Sequence, residues 1–158
     1  MLNDKISLFF KYKPNHVDFF QPIGKGTFGT VIRGKWRHSD VAIKIFQTEQ
    51  DYSSFRNELR QSSRVEHENI IRLYGASTQP PCIFLVMEYA ENGSLYKFLH
   101  KMKPLLPYHS GHAISWALQC AKGVEYLHNM QPKPLIHRYV DNNNSSILSN
   151  KYEDFGFQ

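Results

Sequence analysis

The stretch Ile23–Lys44 constrains the chain most. It holds Gly24-x-Gly26-x-x-Gly29-x-Val31 and, thirteen positions beyond Val31, the apolar run Val41-Ala42-Ile43 ending in Lys44. Glycines at this spacing let a hairpin lie close over a ligand and bring backbone N–H groups to phosphate oxygens. Thr30, Val31 and Ile32 resume strand composition, and Val41–Lys44 reads as a second strand that delivers one ammonium. A lysine after three apolar residues needs an anionic partner, and a phosphate supplies one. Taken alone, the glycines also fit a dinucleotide-binding turn. There a helix follows, however, whereas β-branched residues follow here and Pro22 precedes. A glycine-tolerant hairpin turn is the other reading of the glycines alone.

A chain of 158 residues, 41% hydrophobic and 21% charged, can bury one sizeable core. Its net charge of +5 comes from scattered basic residues, so no nucleic-acid surface is expected. The eight histidines show no metal-ligand spacing. Cys82 and Cys120 form neither a CxxC pair nor a disulfide framework, which fits a reducing compartment. The apolar run Ile6–Phe10 is too short for a signal-peptide core and nothing later approaches transmembrane length. A cytoplasmic protein without membrane association is the expectation.

Along the chain, a lead-in strand is expected at Val17–Gln21 and a helix over Gln50–Val65. On that helix Phe55, Leu59, Ser62 and Val65 line one face and Asp51 sits near the favourable N-terminus. Glu58, fourteen residues after Lys44, is either a solvated helix glutamate or its ion-pair partner; the loop already found favours the pair. His67-Glu68-Asn69 breaks the helix. Ile70–Leu73 and Ile83–Glu88 read as strands joined by a turn containing Gly75, Pro80 and Pro81. The change at Glu88–Gly93 to polar residues and glycine reads as a boundary between two lobes. Beyond it, Ser94–Lys101 is a short helix capped by Ser94, and Pro104–Pro107 ends it. His112–Met130 is the longest helix, with Ile114, Leu118, Ala121, Val124 and Leu127 as a wide apolar stripe.

The glycine loop with its lysine strand matches the signature of a protein kinase. Glu58–Val65, Leu73–Ala76, Leu85–Ala90, Gly93–Tyr96 and Met130–Arg138 add more specific runs. Together they resemble the transforming-growth-factor-β-activated kinase family, MAP kinase kinase kinases acting on serine and threonine, from about Val17 to about Asn144. The resemblance implies an α+β fold, with a five-stranded antiparallel sheet and one helix in an N-terminal lobe, followed by a truncated helical C-terminal lobe. It divides the chain into an extension (1–16), an N-terminal lobe (17–88), a hinge (89–93) and the C-terminal remnant (94–158). It also implies ATP as the ligand. The loop Gly24, Lys25, Gly26, Thr27, Phe28, Gly29 and Thr30 would lie over the phosphates. Ile23 and Val31 would cover the adenine, and Ala42 would line its pocket. Met87 would be gatekeeper, Glu88 and Ala90 would offer hinge backbone groups, and Lys44 oriented by Glu58 would hold the phosphates.

The catalytic half departs from the family pattern. Kinases follow His-Arg with an aspartate that accepts the substrate proton, and an asparagine five places on holds magnesium. This chain reads His137-Arg138-Tyr139-Val140-Asp141-Asn142-Asn143-Asn144. Asn144 keeps the metal position, Tyr139 occupies the position of the base, and Asp141 replaces the phosphate-steadying lysine. A phenol is neutral at pH 7 and does not reproduce a carboxylate. Asp154-Phe155-Gly156 matches the triplet whose aspartate would hold magnesium, although only nine residues separate Asp154 from Asn144. No activation segment follows before Gln158. The expected function is thus an ATP-binding kinase-like domain with impaired catalysis. A residually active Ser/Thr kinase of MAP kinase signalling and a non-catalytic decoy or binding module stay open as alternatives. Protein partners from that signalling system and self-association through the long helix are further expectations.

Overall fold

The computed structural model of the chain describes residues 17–26, 29–78, 83–100 and 108–136. They fall into two compact units, the first from 17–65 with Arg72–Tyr89 and the second from Glu66–Ile71 with 90–136.

The first unit is the expected five-stranded antiparallel sheet with one helix. Strands β1 (Val17–Gly26), β2 (Gly29–Trp36), β3 (Ser39–Phe46), β4 (Leu73–Ser77) and β5 (Ile83–Glu88) are ordered β1-β2-β3-β5-β4. β1 runs past the expected Gln21 and absorbs the first two loop glycines. Its ladder slips on both sides of Pro22, which has no N–H to donate. β2 and β3 turn through Arg37 and His38, both in the left-handed region at φ 49° and 72°. This two-residue turn matches the strand twist, at a cost that glycine or asparagine would avoid. The Arg37 guanidinium lies 4.6 Å from the Trp36 ring centre.

Helix α1 spans Glu49–Ser62. Thr48 caps it, and the Asp51 carboxylate returns to the Thr48 N–H at 3.0 Å, closing a reciprocal box. Hydrogen bonds from the Thr48 side chain, then from the backbone of Thr48 and of Gln47, hold the Asp51 carboxyl below its ordinary range. The helix ends three residues before the expected Val65. The Ser63 hydroxyl donates to the Arg60 carbonyl, and the N–H groups of Arg64 and Val65 reach back only three residues, to Gln61 and Ser62.

The strand expected at Ile70–Leu73 is a correction. The Ile70 N–H bonds to the His67 carbonyl in a turn, so β4 begins at Leu73; Gly75 lies within the strand, paired with Val86 just after the ladder slips at Tyr74, rather than in the turn beyond it. Pro80 and Pro81 lie outside the described residues. β5 occupies Ile83–Glu88 as read from the sequence.

The sheet is apolar on both faces. Phe46, Leu73, Ala76, Ile83 and Leu85 pack with Phe55 and Leu59 of α1, whereas Val17, Val41, Ile43, Phe84 and Val86 form a second cluster on the other face.

In the second unit, helix α2 covers Leu95–His100 and helix α3 covers Ser110–Asn129. α3 starts two residues before the expected His112 because His109 caps it: its Nδ1 accepts from the Gly111 N–H, and His112 Nδ1 accepts from the His109 N–H. Its buried residues are Trp116, Gly123 and Leu127, whereas Ile114 and Leu118 of the expected stripe are 67% and 54% exposed. Phe98 meets Trp116 edge-on at 5.6 Å. The turn 66–71 is fastened to α3 by the Tyr126 hydroxyl, which accepts from the Glu66 N–H, and by the His67–Tyr126 ring contact. Burial pushes the Cys120 thiol above its ordinary range and keeps it protonated. Among the described residues no helix is long and apolar enough to cross a membrane.

Candidate nucleotide site

Side chains paired across an antiparallel sheet share a face, and the register sets two rows on the α1 side. Val31, Lys44, Leu85 and Ala76 make one row; Arg33, Ala42, Met87 and Leu73 make the next. Val31, Ala42, Lys44 and Met87, drawn from three strands, thereby come to one surface. α1 brings Glu58 to the same place. The Lys44 Nζ donates to both Glu58 carboxylate oxygens, at 2.9 and 2.7 Å. Both side chains keep some solvent, 21% for Lys44 and 31% for Glu58, so the ammonium can still face a ligand.

The loop glycines differ in what they do. Gly26 pairs with Gly29 across the β1–β2 connection, and Gly24 pairs with Val31. Gly29 has φ 138°, and a Cβ there would run into the Ile45 carbonyl, so glycine is required by the backbone. A Cβ on Gly24 would meet nothing within 4 Å, which leaves open space beside the strand. Ile23 is half-buried, Gly24 and Lys25 are exposed, and Thr30 is half-buried. Thr27 and Phe28 lie outside the described residues.

Glu88 is tied at both ends of its residue. Its N–H donates to the Arg72 carbonyl at 2.8 Å, and its carboxylate accepts the Arg72 N–H at 3.2 Å. Ala90, in the second unit, accepts the Gly93 N–H in a turn that Gly93 completes at φ 69°. Tyr139, Asp141, Asn144 and Asp154 lie outside the described residues. Among the described residues no group of three or more histidine, cysteine, aspartate or glutamate side chains could hold a metal ion. The face offers one ammonium held by a carboxylate, a small-residue strand edge, and the apolar side chains of Val31, Ala42 and Met87. Phe46, which the sequence reading passes over, reaches the same face two residues beyond Lys44, as the period-two alternation of β3 requires.

Residues 17–156 match the family model for the protein tyrosine and serine/threonine kinases. The chain belongs to that family. It is 50% identical over 149 residues to human mitogen-activated protein kinase kinase kinase 7, covering 92% of this chain and 24% of the relative. The Drosophila melanogaster kinase of the same name is 46% identical over 142 residues, covering 86% and 20%. Arabidopsis thaliana serine/threonine-protein kinase CTR1 is 41% identical over 145 residues, covering 86% and 17%. The chain thus spans about a quarter or less of the length of these relatives.

Proposed function

We propose that this kinase-family chain binds ATP on the α1 side of its sheet and is impaired in phosphoryl transfer. The observation that carries the binding half is the Lys44–Glu58 contact at 2.7 Å, since a carboxylate on that ammonium orients it for nucleotide phosphates. Residues 17–88 are the nucleotide lobe in this reading, 89–93 the hinge and 94–158 the second lobe. Glu88 and Ala90 supply backbone groups to the adenine edge, with Ile23, Val31, Ala42 and Met87 around it. Asn144 and Asp154 are the residues that would hold magnesium, which neutralises phosphate charge when bound.

The impaired half rests on Tyr139 at the position of the base and on Asp141, which puts negative charge where the family has a lysine. The likeness to mitogen-activated protein kinase kinase kinases and to a serine/threonine-protein kinase supports a cytoplasmic place in MAP kinase signalling among that system's protein partners, with serine and threonine as the residues acted on. The exposed Ile114 and Leu118 favour self-association through α3, which sedimentation of the wild-type chain against Leu118→Lys tests.

Thermal unfolding with and without ATP tests the binding half. The melting temperature rises with ATP in the wild type and not in Lys44→Met. Equal rises in both would place the binding elsewhere and overturn this reading.

A further inference from the structure

The alternation that brings Lys44 to the α1 face brings Phe46 there as well. Phe46 is 1% exposed and packs among Phe55, Leu59, Leu73, Ala76, Ile83 and Leu85. Phe55 meets its ring at 5.3 Å between centres, with the planes 72° apart. An edge-to-face contact of this kind holds both rings, and in a close-packed core neither can swing aside. The Lys44 ammonium lies over that fixed ring, 5.3 Å from its centre. This is within the distance at which a cation is drawn to the negative face of an aromatic ring.

Lys44 therefore has two partners of different kinds. Glu58 supplies opposite charge, but it does so from a helix side chain that is 31% exposed and shared with water. Phe46 supplies a weaker attraction from a buried ring packed into the core. A long, flexible lysine stem leaves the ammonium several positions that satisfy the carboxylate. The ring face selects among them.

We propose that Phe46 is a positioning residue for Lys44, its buried ring restraining the ammonium at the point from which it meets a nucleotide phosphate. The consequence for ligand binding rests on the nucleotide reading above. The restraint itself belongs to the free protein and is tested there. Core filling and charge attraction are separable, because leucine fills much of the same space without a ring quadrupole. A pentafluorinated ring keeps the shape and reverses the quadrupole.

The experiment uses the whole chain with 13C at the lysine ε carbons, read by NMR, the Lys44 signal being assigned by its loss in Lys44→Met. In the wild type the Lys44 Hε protons are displaced upfield by the Phe46 ring current and the side chain is ordered. Phe46→Leu returns the protons to the ordinary lysine position. Phe46→pentafluorophenylalanine lowers the side-chain order with the fold intact, and Phe46→Tyr retains both displacement and order. Phe55→Leu removes the supporting ring of the same cluster and lowers stability while the upfield displacement persists. ATP affinity follows the order parameter, falling about three- to tenfold in the pentafluorinated chain. An undisplaced Lys44 signal in the wild type, or unchanged order with the reversed quadrupole, overturns the proposal. If no variant binds ATP, the nucleotide reading fails and the lysine signals still decide the role of Phe46.

Discussion

The Lys44 ammonium lies 2.9 and 2.7 Å from the two carboxylate oxygens of Glu58, fourteen residues on, and this contact couples β3 to α1. Both partners keep water, so the pair adds at most about 1 kcal/mol to stability. In the proposed reading its larger effect is to orient the ammonium for a nucleotide. Glu58→Gln should lower the unfolding free energy by less than about 1 kcal/mol while markedly shrinking the ATP-induced rise in melting temperature. Denaturant unfolding and thermal scans read the two quantities separately. A variant with the full ATP response would show that Glu58 does not orient Lys44.

Gly24 and Gly29 separate ligand approach from backbone need. Gly29→Ala combines a left-handed φ with a collision against the Ile45 carbonyl and should destabilise by about 1–3 kcal/mol. Gly24→Ala has open space and should change stability by no more than about 0.5 kcal/mol. ATP affinity should nevertheless fall in Gly24→Ala, because the added methyl would stand where the proposed nucleotide comes close to the strand. Unchanged affinity would mean that the ligand does not approach there.

How much of this was legible in the sequence depended on whether the signal was local. β5 could be read to its ends because a continuous apolar run stops abruptly at polar residues. The pair Ile70-Ile71 looks equally strand-like, yet the turn closed by the Ile70 N–H and the His67 carbonyl removes it from the sheet. Only backbone hydrogen bonding tells the two apart. On α3, apolar residues lie on more than one side, so periodicity could not decide which edge packs. The edge is Trp116, Gly123 and Leu127, and its glycine adds nothing to a hydrophobic pattern. At the start of α1 only the charge of Asp51 was read, and the box it closes with Thr48 came with the structure; His109 is outside the usual cap residues altogether. At the site, Lys44 and Glu58 stood out as charges. Phe46 looked like one more core residue, and its place under the ammonium needed coordinates.

The box at the start of α1 gives a pH-dependent prediction with a definite sign. The Asp51 carboxyl is held below its ordinary 3.8, chiefly by the Thr48 side chain and backbone. A depressed folded-state value means that the contribution is fully present above the unfolded value and is lost as the pH falls through the folded one. Asp51→Asn should therefore reduce stability at neutral pH and flatten its fall below pH 3.8. Thr48→Ala should cost about 1 kcal/mol at pH 7. Urea unfolding at a series of pH values checks both. An Asp51→Asn chain with the wild-type pH profile would show that the carboxylate does not bind its proton differently on folding.

The proposed loss of catalysis rests on Tyr139 and Asp141 together. Loss of a positioned base costs about 10²–10⁴ in rate, equivalent to about 3–5.5 kcal/mol of barrier. Phosphoryl transfer depends even more on placing and neutralising charge, and Asp141 adds a negative group where the family keeps a lysine. Tyr139→Asp alone restores a carboxylate but leaves the negative charge of Asp141 in place of the family's lysine. Neither the wild-type chain nor Tyr139→Asp should therefore incorporate labelled phosphate into a protein substrate above the Lys44→Met blank. Incorporation by the wild type above that blank would establish phosphoryl transfer without the aspartate base. Incorporation by Tyr139→Asp alone would show that the missing carboxylate is the whole defect and that the charge at position 141 is tolerated.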